Sequence, residues 1–188
     1  MKIQLLPFII YFILIAGCST HKQVTNTVSN KAGVAIKSTV RLTENIPAIS
    51  IKAKDISGEE VAVFAETLKG VPYLYGSSKK EAGFDCSGFI TYVFNHFKIA
   101  VPRSAKQFTN AGPAVSSLQC KMGDLILFTG SNINSGLVGH MGMITQNNKG
   151  VLQFIHASSG KGVIVSGMNS YFLPRFVKII RVFNHLLI

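Results

Sequence analysis

A cysteine and two distant histidines are the residues of this chain best suited to covalent chemistry. Cys86 begins a helix-like segment, and His140 and His156 each lie in a later strand-like segment. A thiol attacks well at neutral pH only where its surroundings favour the thiolate, as a helix N-terminus and a nearby imidazolium both do. The three residues therefore predict a cysteine nucleophile with a remote histidine base.

The segment after Cys86 is predicted to be an amphipathic helix with the cysteine in its first turn. Apolar residues at helical spacing form one stripe, at Phe89, Ile90, Val93, Phe94 and Phe97. An earlier helix begins where Ser57 and Glu60 make a capping-box pattern, and it is expected to continue to Gly70. Both helices precede the predicted strands.

From Leu125 onward the periodicity is that of strands. Short β-branched or aromatic runs are separated by Gly and Asn turns, at 125–128, 140–145, 151–157, 162–165 and 176–183. Helices followed by strands predict an α+β fold, in which the N-terminal helices pack on an antiparallel β-sheet.

The two histidines are expected to be neighbours on this sheet. A three-residue hairpin loop ending in a left-handed glycine closes at the pair Asn147 and Val151, which places His140 opposite Ser158. Side chains alternate along a strand, so His156 points to the same side as His140. The imidazoles are therefore predicted to be diagonal neighbours, close enough for one to orient the other.

From about Gly70 to the C-terminus, the chain resembles the NlpC family of papain-like bacterial cell-wall cysteine peptidases. Six motifs in the family's order carry the resemblance: Gly70-Val71-Pro72-Tyr73-Leu74-Tyr75-Gly76, Phe84-Asp85-Cys86-Ser87-Gly88-Phe89, Pro102-Arg103-Ser104 with Gln107, Gly123-Asp124-Leu125, Gly139-His140-Met141-Gly142-Met143 and Phe154-Ile155-His156-Ala157-Ser158. The resemblance implies a papain-like, NlpC-type fold. The chain departs from the pattern at Tyr75, where many relatives have Trp, and in a longer polar loop over 131–137.

The resemblance also implies a role for each site residue. Cys86 is the nucleophile, His140 is the general base that later protonates the leaving amine, and His156 orients His140. Tyr73 helps to hold the oxyanion together with the backbone N–H of Cys86. A helix start suits this task, because its first N–H groups have no partner within the helix.

Asp85 and Ser87 flank the nucleophile, and two interpretations stay open for them. They either bind substrate in the cleft or cap the helix. Zinc binding by Cys86, His140 and His156 is the metal alternative, but none of the compact ligand spacings of zinc sites occurs. We therefore expect no metal and no organic cofactor. Cys120, outside this set, is expected to be a partly buried structural residue.

The N-terminal residues are typical of an exported lipoprotein. Lys2 supplies a positive start, residues 5–15 an apolar stretch, and small residues before Cys18 a cleavage site. The segment resembles the lipobox of bacterial lipoproteins, which implies cleavage before Cys18 and lipidation of its thiol. A transmembrane anchor fits less well, because the apolar run is shorter than the roughly 18 residues that a span needs. Ser19 favours sorting to the outer membrane, facing the periplasm.

Three segments are predicted. Residues 1–17 are a lipoprotein signal peptide, 18–56 the lipidated cysteine with a polar tether, and 57–188 the NlpC-type peptidase domain. The tether is rich in Thr, Ser, Asn and Lys and has few large apolar groups before Ile46. No internal repeat or second core is visible, and we expect a monomer.

The chain is strongly basic, with a formal net charge of +11. In an exported protein this charge favours anionic lipid headgroups and the carboxylate-bearing peptides of the cell wall. Nucleic acid is disfavoured by export and by the lack of a compact Lys/Arg cluster or a nucleic-acid-binding motif.

Together these features predict a lipid-anchored cysteine endopeptidase that hydrolyses amide bonds in peptidoglycan stem peptides or cross-links. Its partners are peptidoglycan peptides and, through Cys18, a membrane. Two alternatives stay open. One is an acyltransferase or lipid hydrolase on the same scaffold, which requires an apolar acyl tunnel. The other is a non-catalytic wall-binding lipoprotein.

Overall fold

The computed structural model describes residues 26–29, 35–38, 48–49, 51, 53 and 55–183. The predicted signal peptide 1–17 and Cys18 lie outside these residues. In the part of the chain that is described, no helix has the length and apolar character needed to cross a membrane.

The described residues form two α-helices and ten β-strands. The helices are α1 (Gly58–Glu66) and α2 (Cys86–His96). The strands are β1 (Asn26–Ser29), β2 (Ala35–Ser38), β3 (Ser78–Lys79), β4 (Gly83–Phe84), β5 (Ala114–Val115), β6 (Leu125–Thr129), β7 (Val138–Asn148), β8 (Val151–Ser158), β9 (Gly162–Gly167) and β10 (Phe176–Ile180). Short 3₁₀ helices cover Ala105–Asn110, Ile133–Ser135 and Leu173–Arg175.

One sheet holds eight of these strands, in the order β2-β1-β8-β7-β6-β10-β5 with β9 paired to β8. The pairs are antiparallel, apart from a single parallel pairing of β1 with β8. β3 and β4 form a separate small hairpin. The predicted α+β class, with helices before an antiparallel sheet, is confirmed.

Two of the sheet strands lie in the segment that the sequence predicts to be a tether. β1 and β2 form an antiparallel pair there, and Ile51 and Ala53 pack against the main core. The domain boundary at residue 57 stays a prediction.

Apolar side chains cover both faces of the sheet. The buried face of α2 contains Phe89, Ile90, Val93 and Phe94, which confirms four of the five residues of the predicted stripe. The fifth, Phe97, is the C-cap and packs against the core partly buried. On β6, Leu125 and Leu127 belong to the core that contains α2, whereas Ile126 and Phe128 belong to a second cluster. This alternation is the period of a strand buried on both sides, so β6 lies between two apolar layers.

Helix α1 starts where predicted and ends earlier. The Ser57 hydroxyl accepts a hydrogen bond from the Glu60 backbone N–H at 3.0 Å, so the predicted N-cap is confirmed. The helix ends at Glu66 instead of Gly70. Thr67 explains the difference, because its hydroxyl donates to the Phe64 carbonyl at 2.7 Å and its own N–H bonds the same carbonyl. These local bonds compete with the α-helical pattern.

The loop between β7 and β8 is shorter than predicted. Asn148 pairs with Val151, so the loop has two residues instead of three, and the predicted closing pair of Asn147 with Val151 is wrong. Both loop residues have positive φ, 48° at Lys149 and 90° at Gly150. That combination is the type I′ turn, whose twist matches the strands on either side of it.

A register shift farther along the hairpin cancels this one-residue difference. It lies between Ile144 and Gln146 and adds one residue to β7. Beyond the shift, Met143 pairs with Ile155, which is the register expected from the sequence. The ends of β7 and β8 that carry the histidines therefore pair as predicted, although the loop between the strands does not.

Candidate active site

The start of α2 holds Cys86 in a partly buried position. Asp85 is the N-cap, and its side chain accepts a hydrogen bond from the Gly88 backbone N–H at 2.6 Å. Gly88 is required by close packing, because a Cβ at this position would collide with the carbonyl oxygen of Ser77. The Asp85 cap and the close packing of Gly88 on Ser77 together fix the first turn of α2. Backbone N–H groups in a first turn have no partner within the helix.

Asp85 and Ser87 belong to a polar cluster with Arg103 and are not among the side chains that line the cleft. Arg103 donates to both carboxylate oxygens of Asp85, at 2.8 and 3.1 Å, and to the Ser87 hydroxyl at 3.1 Å. Burial alone would raise the pKa of Asp85, but the hydrogen bonds from Arg103 and Gly88 hold it below its usual value. The cluster supports the capping interpretation, and substrate contact by Asp85 or Ser87 stays a prediction.

The two histidines are in direct contact. Nε2 of His140, on β7, lies 3.0 Å from Nδ1 of His156, on β8, and the rings are nearly perpendicular at 89°. The predicted diagonal arrangement is therefore confirmed. Since Nε2 of His140 is engaged by His156, its Nδ1 is the nitrogen left to exchange a proton with Cys86.

A serine that the sequence analysis missed extends this pair. Ser166 Oγ, on β9, lies 2.9 Å from Nε2 of His156. His156 on β8 pairs with Ile164 on β9. Ser166 lies two residues after Ile164 on β9, so the side chains of His156 and Ser166 point to the same face of the sheet. The predicted strand ends at Val165, two residues before the observed end at Gly167, and so stops just short of Ser166. Strand parity applied to a β8–β9 hairpin is the signal that could have found Ser166.

One cleft of about 670 Å³ contains Cys86, His140, His156 and Tyr73. The structure therefore brings together the four residues named for catalysis from the sequence. Burial raises the pKa of Tyr73, and the negative charges of ionised Cys86 and Asp85 would raise it further. The phenol is therefore protonated at neutral pH and able to donate a hydrogen bond, as an oxyanion donor must.

The free site holds its thiol and imidazole in neutral form. Burial, then the Asp85 carboxylate, raises the pKa of Cys86 above that of a free thiol, and nearby backbone N–H groups only partly offset this. The thiol donates to the Gly139 carbonyl at 3.8 Å. Burial also lowers the pKa of His140 to about 4. In the free site burial outweighs the backbone N–H groups at the helix start, and His140 is a neutral ring instead of an imidazolium. The expectation that both favour the thiolate is therefore wrong for the free site.

The second histidine is also neutral. Burial, followed by the charge of neighbouring His140, lowers the pKa of His156 to about 3. A positive charge on both rings of the pair is therefore excluded near neutral pH. The proton of Cys86 must move to His140 during attack, and one imidazolium is then held next to a neutral His156.

Cys120 is buried in the second apolar cluster, which also contains Ile126 and Phe128. Its thiol donates to the Ser117 carbonyl and accepts from the Asn147 amide, each at 3.3 Å. Burial, with the Asp124 carboxylate, raises its pKa to about 12, so the thiol is unreactive at neutral pH. Cys86 and Cys120 are both free cysteines, and the structural role expected for Cys120 fits its burial.

The zinc alternative lacks a suitable ligand set. Within the described ranges, no group of three or more His, Cys, Asp or Glu side chains is placed to hold a metal ion. Two of the proposed ligands, His140 and His156, are instead hydrogen-bonded to each other.

The chain matches a known protein family. The NlpC/P60 family model matches residues 70–181. A protein of Escherichia coli K12 named murein DD-endopeptidase MepS/murein LD-carboxypeptidase is 31% identical over 183 residues, which cover 95% of this chain and 92% of that protein. The probable endopeptidase NlpC of the same strain is 31% identical over 161 residues, covering 85% and 86% of the two chains.

Solved structures show the same fold. NlpC1 from Trichomonas vaginalis is 30% identical with a TM-score of 0.59, covering 70% of this chain and 46% of that one. The peptidoglycan hydrolase RipB from Mycobacterium tuberculosis is 27% identical with a TM-score of 0.54, covering 68% and 66%. The chain thus spans about half the length of the first of these structures and two thirds of the second.

Proposed function

The chain belongs to the NlpC/P60 family of cysteine peptidases, and from that membership we propose that it hydrolyses amide bonds in the peptide part of peptidoglycan. The observation that carries the proposal is one cleft with Cys86 beside a directly bonded pair of histidines, His140 and His156. Relatives named as a murein endopeptidase and a peptidoglycan hydrolase support the cell wall as the substrate.

The reaction follows from the positions of these groups. Sγ of Cys86 attacks the amide carbon while its proton passes to Nδ1 of His140, and the carbonyl oxygen becomes an oxyanion. The N–H groups at the start of α2 and the Tyr73 hydroxyl stabilise that charge. His140 then protonates the leaving amine, the C–N bond breaks, and water hydrolyses the thioester, with His140 as the base.

The mixed lining of the cleft favours a peptide over an acyl chain. An acyltransferase or lipid hydrolase would need a wholly apolar tunnel. This cleft instead mixes aromatic side chains with polar and basic ones, including Ser131, Ser158, Ser159, Lys161, Asn169 and Arg175. A purely wall-binding protein, in turn, has no use for a hydrogen-bonded histidine pair beside a cysteine. Peptide hydrolysis is therefore preferred to both alternatives.

Digestion of purified peptidoglycan and soluble muropeptides, followed by mass analysis, tests the proposal. Each hydrolysed amide adds one water and leaves a new amine and a new carboxylate, so the product masses identify the bond. Loss of cross-linked dimers indicates cleavage between stems, and shortened stems indicate cleavage within them. An unchanged muropeptide profile for folded protein would contradict the proposed function.

We also infer that the mature protein is exported and anchored to the bacterial envelope by lipid on Cys18, facing the periplasm from the outer membrane. Support comes from the lipobox-like residues before Cys18 and the apolar stretch at 5–15. More than one acyl chain is expected there, and a second chain is what makes membrane binding stable.

Cys18→Ser is expected to give a protein without lipid, because serine removes the thiol that is acylated. Such a protein should move from the detergent phase to the aqueous phase on detergent partitioning and should change its electrophoretic mobility. Cys86→Ser is the matched control, since it removes another thiol and should still partition with detergent. Unchanged partitioning and mobility of Cys18→Ser would refute the anchor.

A further inference from the structure

The charged side chains that line the active-site cleft are cations. They are Lys161 and Arg175, and no Asp or Glu lines the cleft. Among the described residues neither cation takes part in an ion pair. The Asp85 carboxylate is already paired with Arg103. The cleft therefore presents positive charge near Cys86 that no neighbouring carboxylate neutralises.

Arg175 is positioned before any ligand binds. Its Nη1 donates to the Tyr171 carbonyl at 2.9 Å, and its Cζ lies 3.9 Å from the centroid of the Tyr171 ring. Its Nε is buried and has no hydrogen-bond partner among the described residues. A guanidinium held in this way loses little conformational freedom when it binds a planar anion such as a carboxylate.

We propose that Lys161 and Arg175 bind a carboxylate of the peptide substrate, so that the cleft selects peptides with a free acid near the scissile bond. Lys161 lies in the turn between β8 and β9, and Arg175 ends the 3₁₀ helix before β10. Two separate segments thus each bring a cation to the same cleft. That the ligand is a peptide rests on the proposed function. Binding of its carboxylate, however, can be measured in a protein that does not cleave it.

The test compares peptides that differ in one carboxyl group. A synthetic stem peptide and versions with each carboxyl amidated in turn are titrated into the Cys86→Ser protein, which binds without turnover. We expect one amidation to weaken binding about tenfold, the size of a charge-assisted hydrogen bond. When Arg175→Gln or Lys161→Gln is added to Cys86→Ser, the acid and amidated peptides should bind with nearly equal affinity.

Lys149→Gln, added to the same background, is the matched control. Lys149 lies in the β7–β8 turn, roughly 20 Å along β8 from the cleft, and its replacement removes the same charge. The Lys149→Gln variant should still bind the acid peptide more tightly than the amidated one. Equal affinity for acid and amide peptides, or a preference that survives both cleft substitutions, overturns the inference. Failure of the proposed function is seen separately, as absence of cleavage by the wild-type protein.

A second inference comes from the hydrogen bonds that run from His140 to Ser166. His140 acts as a base only if Nδ1 is unprotonated, which places the proton of its neutral ring on Nε2. Nδ1 of His156, 3.0 Å away, must then accept, so the His156 proton is on its Nε2. That N–H lies 2.9 Å from Ser166 Oγ, which must accept it.

We infer that Ser166 is a positioning residue that keeps His156 in the Nε2–H tautomer and thereby keeps His140 competent as a base. Outer groups that orient a functional histidine are worth about tenfold to a hundredfold in activity. Ser166→Ala should therefore lower kcat by about that factor with little change in KM. Ser166→Thr, which keeps the hydroxyl on a strand, should restore most of the rate.

Nitrogen NMR of the wild-type protein tests the tautomer without any variant. We expect His156 to be protonated on Nε2 and His140 also on Nε2, and Ser166→Ala to give a mixture of tautomers at His156. Protonation of His156 on Nδ1 in the wild type refutes the role. An unchanged kcat and unchanged nitrogen shifts in folded Ser166→Ala refute it equally.

Discussion

Cys86→Ser is expected to abolish peptide hydrolysis while leaving the protein folded. The hydroxyl is close in size to the thiol, so the packing at the start of α2 is retained, but its much higher pKa makes proton transfer to His140 far less favourable. Removal of a nucleophile that acts as part of a unit costs several orders of magnitude in rate. The measurement is kcat/KM for muropeptide cleavage, with substrate binding largely retained.

Cys120→Ser is the matched control for this change. It alters a thiol that burial keeps unreactive and that lies outside the cleft, so cleavage should persist. Circular dichroism and thermal unfolding show whether each variant is folded. Wild-type cleavage by folded Cys86→Ser would reject the cysteine-peptidase mechanism.

Arg181→Met is expected to produce the largest loss of stability among single changes at the ion pairs of the described residues. Arg181 donates to both carboxylate oxygens of Asp124, at 3.1 and 2.8 Å, and Asp124 is completely buried. The pair joins the residue before β6 to the residue after β10. Removing the guanidinium leaves a buried charge without its main partner, which costs about 3 kcal/mol in the free energy of unfolding. The urea midpoint measures this loss.

Two further variants show whether the buried charge is the cause. Lys69→Met breaks an exposed pair with Glu66, 3.7 Å long, and should cost less than about 1 kcal/mol. Adding Asp124→Asn to Arg181→Met removes the buried charge and should recover part of the loss. A midpoint for Arg181→Met equal to that of Lys69→Met would contradict the argument.

The local features of the active site were predictable from the sequence. The apolar stripe that starts at Phe89 is set by helical periodicity, and the side on which His140 and His156 point is set by strand alternation. Both depend only on residues near each other in the chain. The fold class followed from the order of these elements.

Features that depend on distant packing were not predictable. The two-residue loop requires Lys149 to adopt a left-handed conformation, which single-residue preferences disfavour. The register shift before Gln146 is set by how β7 meets its neighbours. The neutral state of Cys86 likewise depends on burial by segments far away in sequence. The predicted loop is one residue too long, and the register shift in β7 adds one residue that the prediction lacks. These two differences cancel, so the predicted placement of the histidine pair is still correct.

The register shift in β7 gives the two ends of the hairpin different pairing registers. The inner part carries the histidines, whereas the outer part, 146–153, ends in a turn whose Lys149 is exposed. Insertions at such a turn are generally tolerated. The turn at Lys149 is therefore a suitable grafting point, where a fluorescent reporter or a wall-targeting peptide can be added to one end of the catalytic sheet without realigning the other.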